Sequence, residues 1–341
     1  MSNIFEESKT RAFIKNEGVD YNTTVTTQEL PLEDFAENLQ IDVISLNDED
    51  ITFDVKGIDP AFANALRRIF ISEIPTMAIE KVNMWQNTSV IPDEVLAHRM
   101  GLVPIKVDPR LFEVKGKNED HNENNCVQFN LHIKCTRKNT PEAQNRENDI
   151  LPENDEALFN HASVYTSDMK WVPIGTQEEK FKNTPIRPVY EDILLSKMRP
   201  GQEIEMELMC EKGVGKTHAK WSPVSTAYYR LLPDIALKEE ISGEEAQELK
   251  SKCPMNVFDI EDTGKLFVKN SRVCTTCREC IRDEKFVDKI KLAKVKNHFE
   301  FTVESVGMYK PEEIVTEGIK ILKEKVKCWK NTMKGMEEDE E

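Results

Sequence analysis

The stretch DPAFANALRRIFISEIPTMAIEKVNMWQNTSVIPDEVLAHRMGLVPIKVD, residues 59–108, decides how this chain folds. It holds two helices with well-signalled ends. Asp59 stands where an N-cap belongs, and Pro60 takes the first helical position, where a missing N–H costs nothing. Phe62, Ala65, Leu66, Ile69 and Phe70 then recur at the spacing of one apolar helix face, with Arg67 and Arg68 beside it. The second helix opens at Pro92 and places Asp93 and Glu94 in its first turn, where the helix dipole favours negative charge. It runs through Val95, Leu96 and Met100, carries His98 and Arg99, and stops at Gly101 before Pro104. Ile79, Val82 and the NTSVI run between the helices predict strand and turn. The stretch reads as an α+β block with no catalytic group on its face.

Upstream, Ile41 and Val43, then Ile51, Phe53 and Val55, alternate with polar residues around an acidic turn. This predicts a hairpin with one buried face feeding the Asp59 helix. Residues 1–37 are polar and mixed in sign, and predict a flexible arm that orders on a partner. Downstream, residues 115–125 form a solvated loop, after which Val127, Phe129, Leu131, Ile133 and Cys135 alternate as a strand facing a core. Cys126 falls on the opposite face from Cys135, so the two are not a ligand pair. A polar loop over 139–154, a short helix over 155–160 and a strand over 164–172 follow. The RPGQ turn leads into a second alternating strand at 204–210 that puts Cys210 in the core.

GVGKT at 213–217 resembles the end of a phosphate-binding loop, but the pattern needs glycine five residues before Gly215, and that position is Cys210; the loop is rejected. Residues 218–233 predict a strand ending at Pro233, with His218 structural because no carboxylate or nucleophile stands at a useful spacing. A charged helix over 238–252 carries a capping-box pair, Ser242 and Glu245. The chain closes with a strand over 298–303, a turn at Gly307 and a helix opened by Pro311. Along that helix Ile314, Gly318, Ile321, Leu322, Val326, Trp329 and Met333 fall on one stripe. Each large apolar side chain taken out of water contributes roughly 1.5–3 kcal/mol, so a stripe this long predicts a partner-facing surface. The acidic tail, 334–341, is expected to be solvated.

With 46 basic and 62 acidic residues the formal charge is −16, which argues against direct, sequence-specific nucleic-acid binding, whose footprint is a basic face. No apolar run approaches the length needed to cross a membrane and no secretory leader is visible, so neither a membrane nor the secretory route is expected. At 341 residues the chain can hold two domains without disulfides, and its eight cysteines read as reduced thiols. No nucleophile, base and orienting group come together, so no catalytic residue is assigned.

Four of those cysteines are concentrated. Cys253 precedes a proline, and Cys274, Cys277 and Cys280 follow in the run CTTCREC. The C-x2-C-x2-C spacing resembles an iron–sulfur run in which Asp283 or Glu284 replaces the usual downstream cysteine; four thiolates can equally close a tetrahedral zinc site. Surface thiols without a ligand are the third reading. An iron–sulfur or zinc-carrying protein with a redox or regulatory role is therefore the alternative function.

The runs NTSVIPDEVLAHRMGLVPIKVDP, FANALRRIFISEIP, RPGQEIEMEL, HAKWSPVSTAYYRLLP and KNHFEFTVESVGMYKPEEI closely resemble the α-like subunits of cellular RNA polymerases, a family that includes the archaeal α-like subunits and the bacterial α N-terminal domain. They occur in family order from about residue 40 to 333. The form DEVLAHR-x-GLVP-x-KVDP and the HAKWSP run are most similar to the larger α-like subunits shared by eukaryotic polymerases I and III. The third subunit of polymerase II carries a cysteine-rich zinc loop after the GLVP helix, whereas residues 110–134 here hold only Cys126.

The resemblance implies an α+β fold in which a discontinuous dimerisation domain, residues 38–76 and 228–333, carries an inserted, mostly β domain at 77–227. A cysteine-bearing subdomain is implied at about 238–290. It further implies a non-catalytic assembly and scaffold role in transcription of ribosomal and small RNAs, in the nucleus including the nucleolus. The implied partners are a smaller α-like subunit and the second-largest and largest catalytic subunits. On the same grounds Phe62, Leu66, Ile69, Phe70, Ile314, Gly318, Ile321, Leu322, Val326 and Trp329 are the implied dimer interface, and Arg67 and Arg68 the contact with a catalytic subunit. Cys253, Cys274, Cys277 and Cys280 match the four-cysteine cluster of archaeal relatives.

Overall fold

The structure is a computed structural model that describes residues 10–20, 32–138 and 158–339. In chain order the strands used below are β1 (Arg11–Ile14), β2 (Val19–Asp20), β3 (Gln40–Leu46), β4 (Asp50–Lys56), β5 (Pro75–Asn87), β6 (Cys126–Lys134), β7 (Ser163–Tyr165), β8 (Lys170–Val172), β9 (Leu194–Lys197), β10 (Glu203–Val214), β11 (Val224–Leu237), β12 (Phe258–Ile260), β13 (Leu266–Val268) and β14 (Ile290–Ser305). The helices used below are α1 (Leu32–Asn38), α2 (Pro60–Ser72), α3 (Asp93–Gly101), α4 (Glu244–Lys252) and α5 (Pro311–Asp339). The chain divides into two compact units: Met1–Leu46, Ile51–Arg67 and Tyr228–Thr302 in the first, and Asn47–Asp50, Arg68–Ala227 and Val303–Glu341 in the second. Outside the β3–β4 turn, the divisions fall at 67/68, 227/228 and 302/303.

The first unit is built on a sheet of order β2-β1-β14-β4-β3, with β11 pairing the other edge of β14. β14 is its long central strand, and starts at Ile290 rather than 298. Lysines at 291, 294 and 296 obscure the alternation that buries Ile290 and Leu292. Residues 11–14 depart from the predicted arm: Arg11, Ala12 and Phe13 pair with Val295, Lys294 and Ala293, and burial of Ala12 and Ile14 fixes them as a strand. Residues 1–9 and 21–31 of the arm lie outside the described residues, while 32–38 form α1. Strand β11 runs through Pro233 instead of ending there; among the described residues its one strand partner is β14, so an edge position tolerates the missing N–H. The HAKWSP run that precedes it is a single 3-10 turn, Ala219–Trp221.

The predicted hairpin forms, with Ile41 opposite Val55, Val43 opposite Phe53 and Leu46 opposite Ile51. Directly opposed residues share a sheet face, so these three extend the buried face of β4. β4 buries Ile51, Phe53 and Val55, and Phe53 stacks on Phe301 at 5.2 Å, but Ile41, Val43 and Leu46 are 52%, 59% and 50% exposed. The buried face is thus realised on β4 alone, because β3 is the sheet edge and no described residue of the first unit covers it.

Helix α2 starts as its sequence dictates: the Asp59 carboxylate accepts from the Ala61 N–H at 2.7 Å. α4 does not. It starts at Glu244 behind Gly243, whose φ of +66° suits glycine, and no side chain caps it. Ser242 instead bridges to Lys265, and the Glu245 carboxylate accepts from Lys289 at 2.6 Å, so the capping box does not form.

The second unit contains the sheet β8-β6-β10-β5. The inward positions of β6 and β10, Phe129, Leu131, Ile204 and Leu208 among them, meet Leu96 and Met100 of α3 in one core with Met77 and Ile79 of β5. Cys135 and Cys210 are buried in it. Cys126 is also fully buried, on the other side of β6 beside the Met209 sulfur at 3.7 Å, and burial pushes its thiol up to about 12. The strand predicted over 164–172 is broken into β7, a 3-10 turn and β8, and Phe159–Asn160 is strand rather than helix. Residues 139–157 lie outside the described residues. The glycines of GVGKT serve close packing: a Cβ on Gly213 would sit 2.4 Å from the Trp221 ring, and one on Gly215 would sit 2.3 Å from the Ile71 carbonyl. α5 continues through Asp339, so residues 334–339 are helical rather than a separate tail.

Candidate interaction faces and metal centre

Helix α5 departs from the tip of the KVDPR run. The Asp108 side chain caps the turn Pro109–Leu111 and holds Arg110, whose Nη2 donates to Glu313 at 2.9 Å and whose guanidinium covers the Tyr309 ring at 5.7 Å. The Tyr309 hydroxyl in turn donates to the Pro75 carbonyl at 2.9 Å. These contacts fix the first turn of α5. One turn on, Gly318 lets the Phe70 ring approach the helix backbone, since an added Cβ would stand 2.4 Å from Phe70 Cε1.

Burial therefore divides the predicted interface into two classes. Ile69, Phe70, Ile314 and Gly318 are buried within this chain and cannot touch a partner directly; they seat the inner half of α5. Helical periodicity marks the α2 side chains among them as one apolar stripe without saying which element covers it. Ile321 and Leu322 are half-buried. Beyond them Val326, Trp329 and Met333 stand 60%, 70% and 61% exposed, joined by Ile319, which the sequence reading does not include. Within the first unit, Phe62 is half exposed against the Phe35 ring of α1 at 5.6 Å, and Leu66 is half-buried. The Arg67 guanidinium is held by the Asn64 side chain at 2.9 Å, whereas Arg68 is exposed. The uncovered side chains of β3 are also missed by the sequence reading. Their signal is present in the sequence, as a run of five apolar residues in eight, 39–46, on a strand that pairs on one side.

The four cysteines of the first unit do come together. Cys253, at the end of α4, and Cys274, Cys277 and Cys280, on the turns after β13, line one small cavity floored by Ile235, Val257, Phe258 and Leu292. Two backbone amides aim at sulfur: Val257 N lies 3.4 Å from Cys253 Sγ and Thr276 N 3.3 Å from Cys274 Sγ. Thr276 and Arg278 adopt positive φ, +58° and +70°, a conformation that non-glycine residues hold only where the surroundings impose it. Burial pushes the Cys280 thiol up to about 12 and raises that of Cys274, with mutual repulsion among the sulfurs adding to both. A bound cation reverses that logic, because metal ligation requires thiolates. The donor set, two amide-to-sulfur bonds and a shared cavity fit a thiolate-ligated metal or cluster. Among the described residues, however, no three of these sulfurs gather within 4.8 Å; the one such group is His132, Glu203 and Glu205 on the sheet of the second unit. The sulfurs are thus spread more widely than those of a closed zinc tetrahedron, where Zn–S bonds of about 2.3 Å bring them to about 3.8 Å.

A buried ion network anchors this cysteine segment. Arg272, two residues before Cys274, grips Asp54 of β4 with both Nη atoms, at 2.9 and 2.6 Å. His298 Nε2 approaches the same carboxylate at 2.8 Å, and Glu300 lies 3.3 Å from Arg272 while accepting twice from Arg230. Burial alone would raise the Asp54 carboxyl, but the hydrogen bonds from Arg272 and His298 outweigh it and hold the group below its ordinary value; the same contact raises Arg272. A buried carboxylate with this much compensation is a structural clamp. In the second unit, His218 is likewise structural: its Nδ1 accepts from the Lys220 N–H at 3.1 Å.

The first unit leaves the apolar strand face of β3 uncovered and the second the outer face of α5, and among the described residues no nucleophile, base and orienting group are brought together. Residues 52–326 match the RNA polymerase Rpb3/Rpb11 dimerisation domain, and the chain belongs to that family. It is 45% identical to the mouse protein named DNA-directed RNA polymerases I and III subunit RPAC1, over 89% of this chain and 87% of that one. It is 42% identical to the Saccharomyces cerevisiae protein of the same name, over 92% and 97% of the two chains. The DNA-directed RNA polymerase subunit Rpo3 of the archaeon Methanosphaera stadtmanae is 34% identical, over 84% and 96%.

Proposed function

We propose that this chain is the larger α-like, non-catalytic scaffold subunit of RNA polymerases I and III. It pairs with a smaller α-like subunit and then docks the catalytic subunits, in the nucleus and its nucleolus. What carries the reading is the outer half of α5: Val326, Trp329 and Met333 are exposed on a helix whose inner half is firmly seated, inside a family defined by dimerisation. Leaving three large apolar side chains in water is costly, and a partner helix relieves that cost. In this reading residues 38–76 and 228–333 form the dimerisation domain, 77–227 the insert, and Arg67 and Arg68 meet the second-largest catalytic subunit. Cys253, Cys274, Cys277 and Cys280 hold a thiolate-ligated metal or cluster that stiffens the segment over about 238–290; no step of transcription passes through it.

Co-expression tests this. Alone, the chain is expected to be poorly soluble, and with the smaller α-like subunit to form a stable one-to-one complex that recruits the large subunits of both polymerases. Leu322→Asp should abolish pairing by burying an unpaired charge. A chain that is a well-behaved monomer and gains nothing from the small subunit overturns the proposal.

A further inference from the structure

The outer half of α5 carries two different surfaces side by side. Ile319, Leu322, Val326, Trp329 and Met333 follow one another at intervals of three and four residues, the a and d spacing of a seam between two paired helices. Ile319, Val326, Trp329 and Met333 are exposed and Leu322 is half-buried, so this chain leaves the seam bare. In the same register Lys323 and Lys330 both take the e position, directly beside the seam, about 10 Å apart along the helix. Lys320, Lys327 and Lys334 take the b position, one row further round.

The two flanks of the seam differ in charge. On the g flank, Lys325 donates to both oxygens of the Glu73 carboxylate, at 2.7 and 3.0 Å, and the Thr332 hydroxyl turns back to the Cys328 carbonyl at 3.0 Å. On the e flank, Lys323 and Lys330 are exposed and have no acidic partner among the described residues. Further round, Lys320 is paired with Glu317 at 2.8 Å. Residues 319–334 hold six lysines and one acidic residue, Glu324, which lies at the f position opposite the seam, in a chain of net charge −16. The e flank is therefore a local positive edge that the chain itself does not neutralise.

That asymmetry restricts what can close the seam. An e residue meets the g residue of a parallel partner helix or the e residue of an antiparallel one. A second copy of this chain would set Lys323 and Lys330 against lysine or threonine in either orientation, which repels or gains nothing. A nucleic acid would meet the lysines but leave the apolar seam in water. A helix flanked by aspartate or glutamate compensates the lysines and covers the seam together.

We propose that the helix that closes the α5 seam bears carboxylates along the flank facing Lys323 and Lys330, and that these two lysines select it over a second copy of this chain. The proposal rests on the reading of α5 as the pairing helix for the smaller α-like subunit, and adds the charge that subunit must present. Exposed ion pairs contribute little affinity each, whereas like charges across a closed seam count against the wrong partner, so the lysines act mainly on partner choice. The test is competition binding against the purified heterodimer with full-length double variants. Lys323→Glu with Lys330→Glu should weaken pairing with the small subunit about tenfold, and Lys323→Gln with Lys330→Gln about threefold. Raising sodium chloride from about 0.05 to about 0.5 M should weaken the wild type more than the glutamine variant. Lys327→Glu with Lys334→Glu makes the same change in net charge one row away from the seam, and should stay within about twofold. None of these four lysines has an ion-pair partner among the described residues, so the fold is expected to be unchanged, as circular dichroism of each complex checks. No complex with the small subunit, or one that Trp329→Ala leaves at full affinity, overturns the pairing reading and this proposal with it. A complex that Trp329→Ala weakens but Lys323→Glu with Lys330→Glu does not overturns this proposal alone. So do equal losses in the two glutamate variants, a stable pair of wild-type copies joined across α5, or displacement of the small subunit by oligo-dT.

Discussion

Trp329→Ala offers the sharpest test of the assembly role, because the structure supplies both its magnitude and its control. Trp329 is 70% exposed on the outer half of α5, so truncation removes almost nothing from the packing of the isolated chain. Its stability should change by no more than about 0.5 kcal/mol. If a partner helix covers this face, the same side chain becomes buried. Seventy per cent of a tryptophan's roughly 200 Å² is about 140 Å², worth about 3.5 kcal/mol at 25 cal/mol per Å². That corresponds to a loss of roughly 300-fold in affinity for the smaller α-like subunit, as an upper figure, since ordering costs fall on the same contact. Trp85 of β5 is also 70% exposed and lies outside the proposed interface. Trp85→Ala is the matched control, and is expected to leave affinity within about twofold. Competition binding with purified heterodimer reads both. Equal affinities for the two variants, or a loss under about fivefold for Trp329→Ala, would refute the reasoning.

Three further outcomes follow from the same geometry. Gly318→Ala should destabilise the chain by about 1–3 kcal/mol, visible as a lower Tm, because the new methyl meets the Phe70 ring and the seat of α5 must shift. Asp54 has a folded-state pKa below its ordinary 3.8, so its stabilising contribution is complete above about pH 4 and is lost as pH falls through the lower folded value. Asp54→Asn should cost about 3 kcal/mol at neutral pH and flatten the acid limb of the stability curve; an unchanged limb in chemical denaturation would show that the clamp is not the titrating group. Finally, protein purified without oxygen should carry metal that Cys280→Ser reduces, as read by elemental analysis; wild-type protein with neither iron nor zinc removes the metal centre from the proposal.

Much of this is written locally in the chain. The Asp59 cap, the Pro60 start and the alternation of 127–135 and 204–210 name their elements without knowledge of their neighbours, and all four form. Long-range dependence sets the limit elsewhere. Residues 11–14 look like arm because the pairing that ties their strand to the sheet is with residues 293–295, far along the chain. The first half of β14 is hidden by lysines whose stems lie on a sheet, and Ser242 does not reveal that Gly243 turns the chain before its helix begins. The candidate interface is half legible: periodicity finds the stripe on α5, but only the contact between Gly318 and Phe70 shows where it passes from core to surface. The thiols are legible as a cluster from spacing, whereas the cavity they share depends on Cys253 arriving from α4.

The Arg272 clamp has a consequence for how the cysteine segment can change over time. Its attachment to the sheet runs through a guanidinium and two carboxylates, and through Arg278 reaching the Asn16 carbonyl at 3.3 Å, none of which involves sulfur. Mooring and thiol chemistry are therefore separable. A lineage that lost its cysteines one by one would keep the segment tied in place, and so could give up its thiol chemistry gradually while the surface that the segment presents stayed the same.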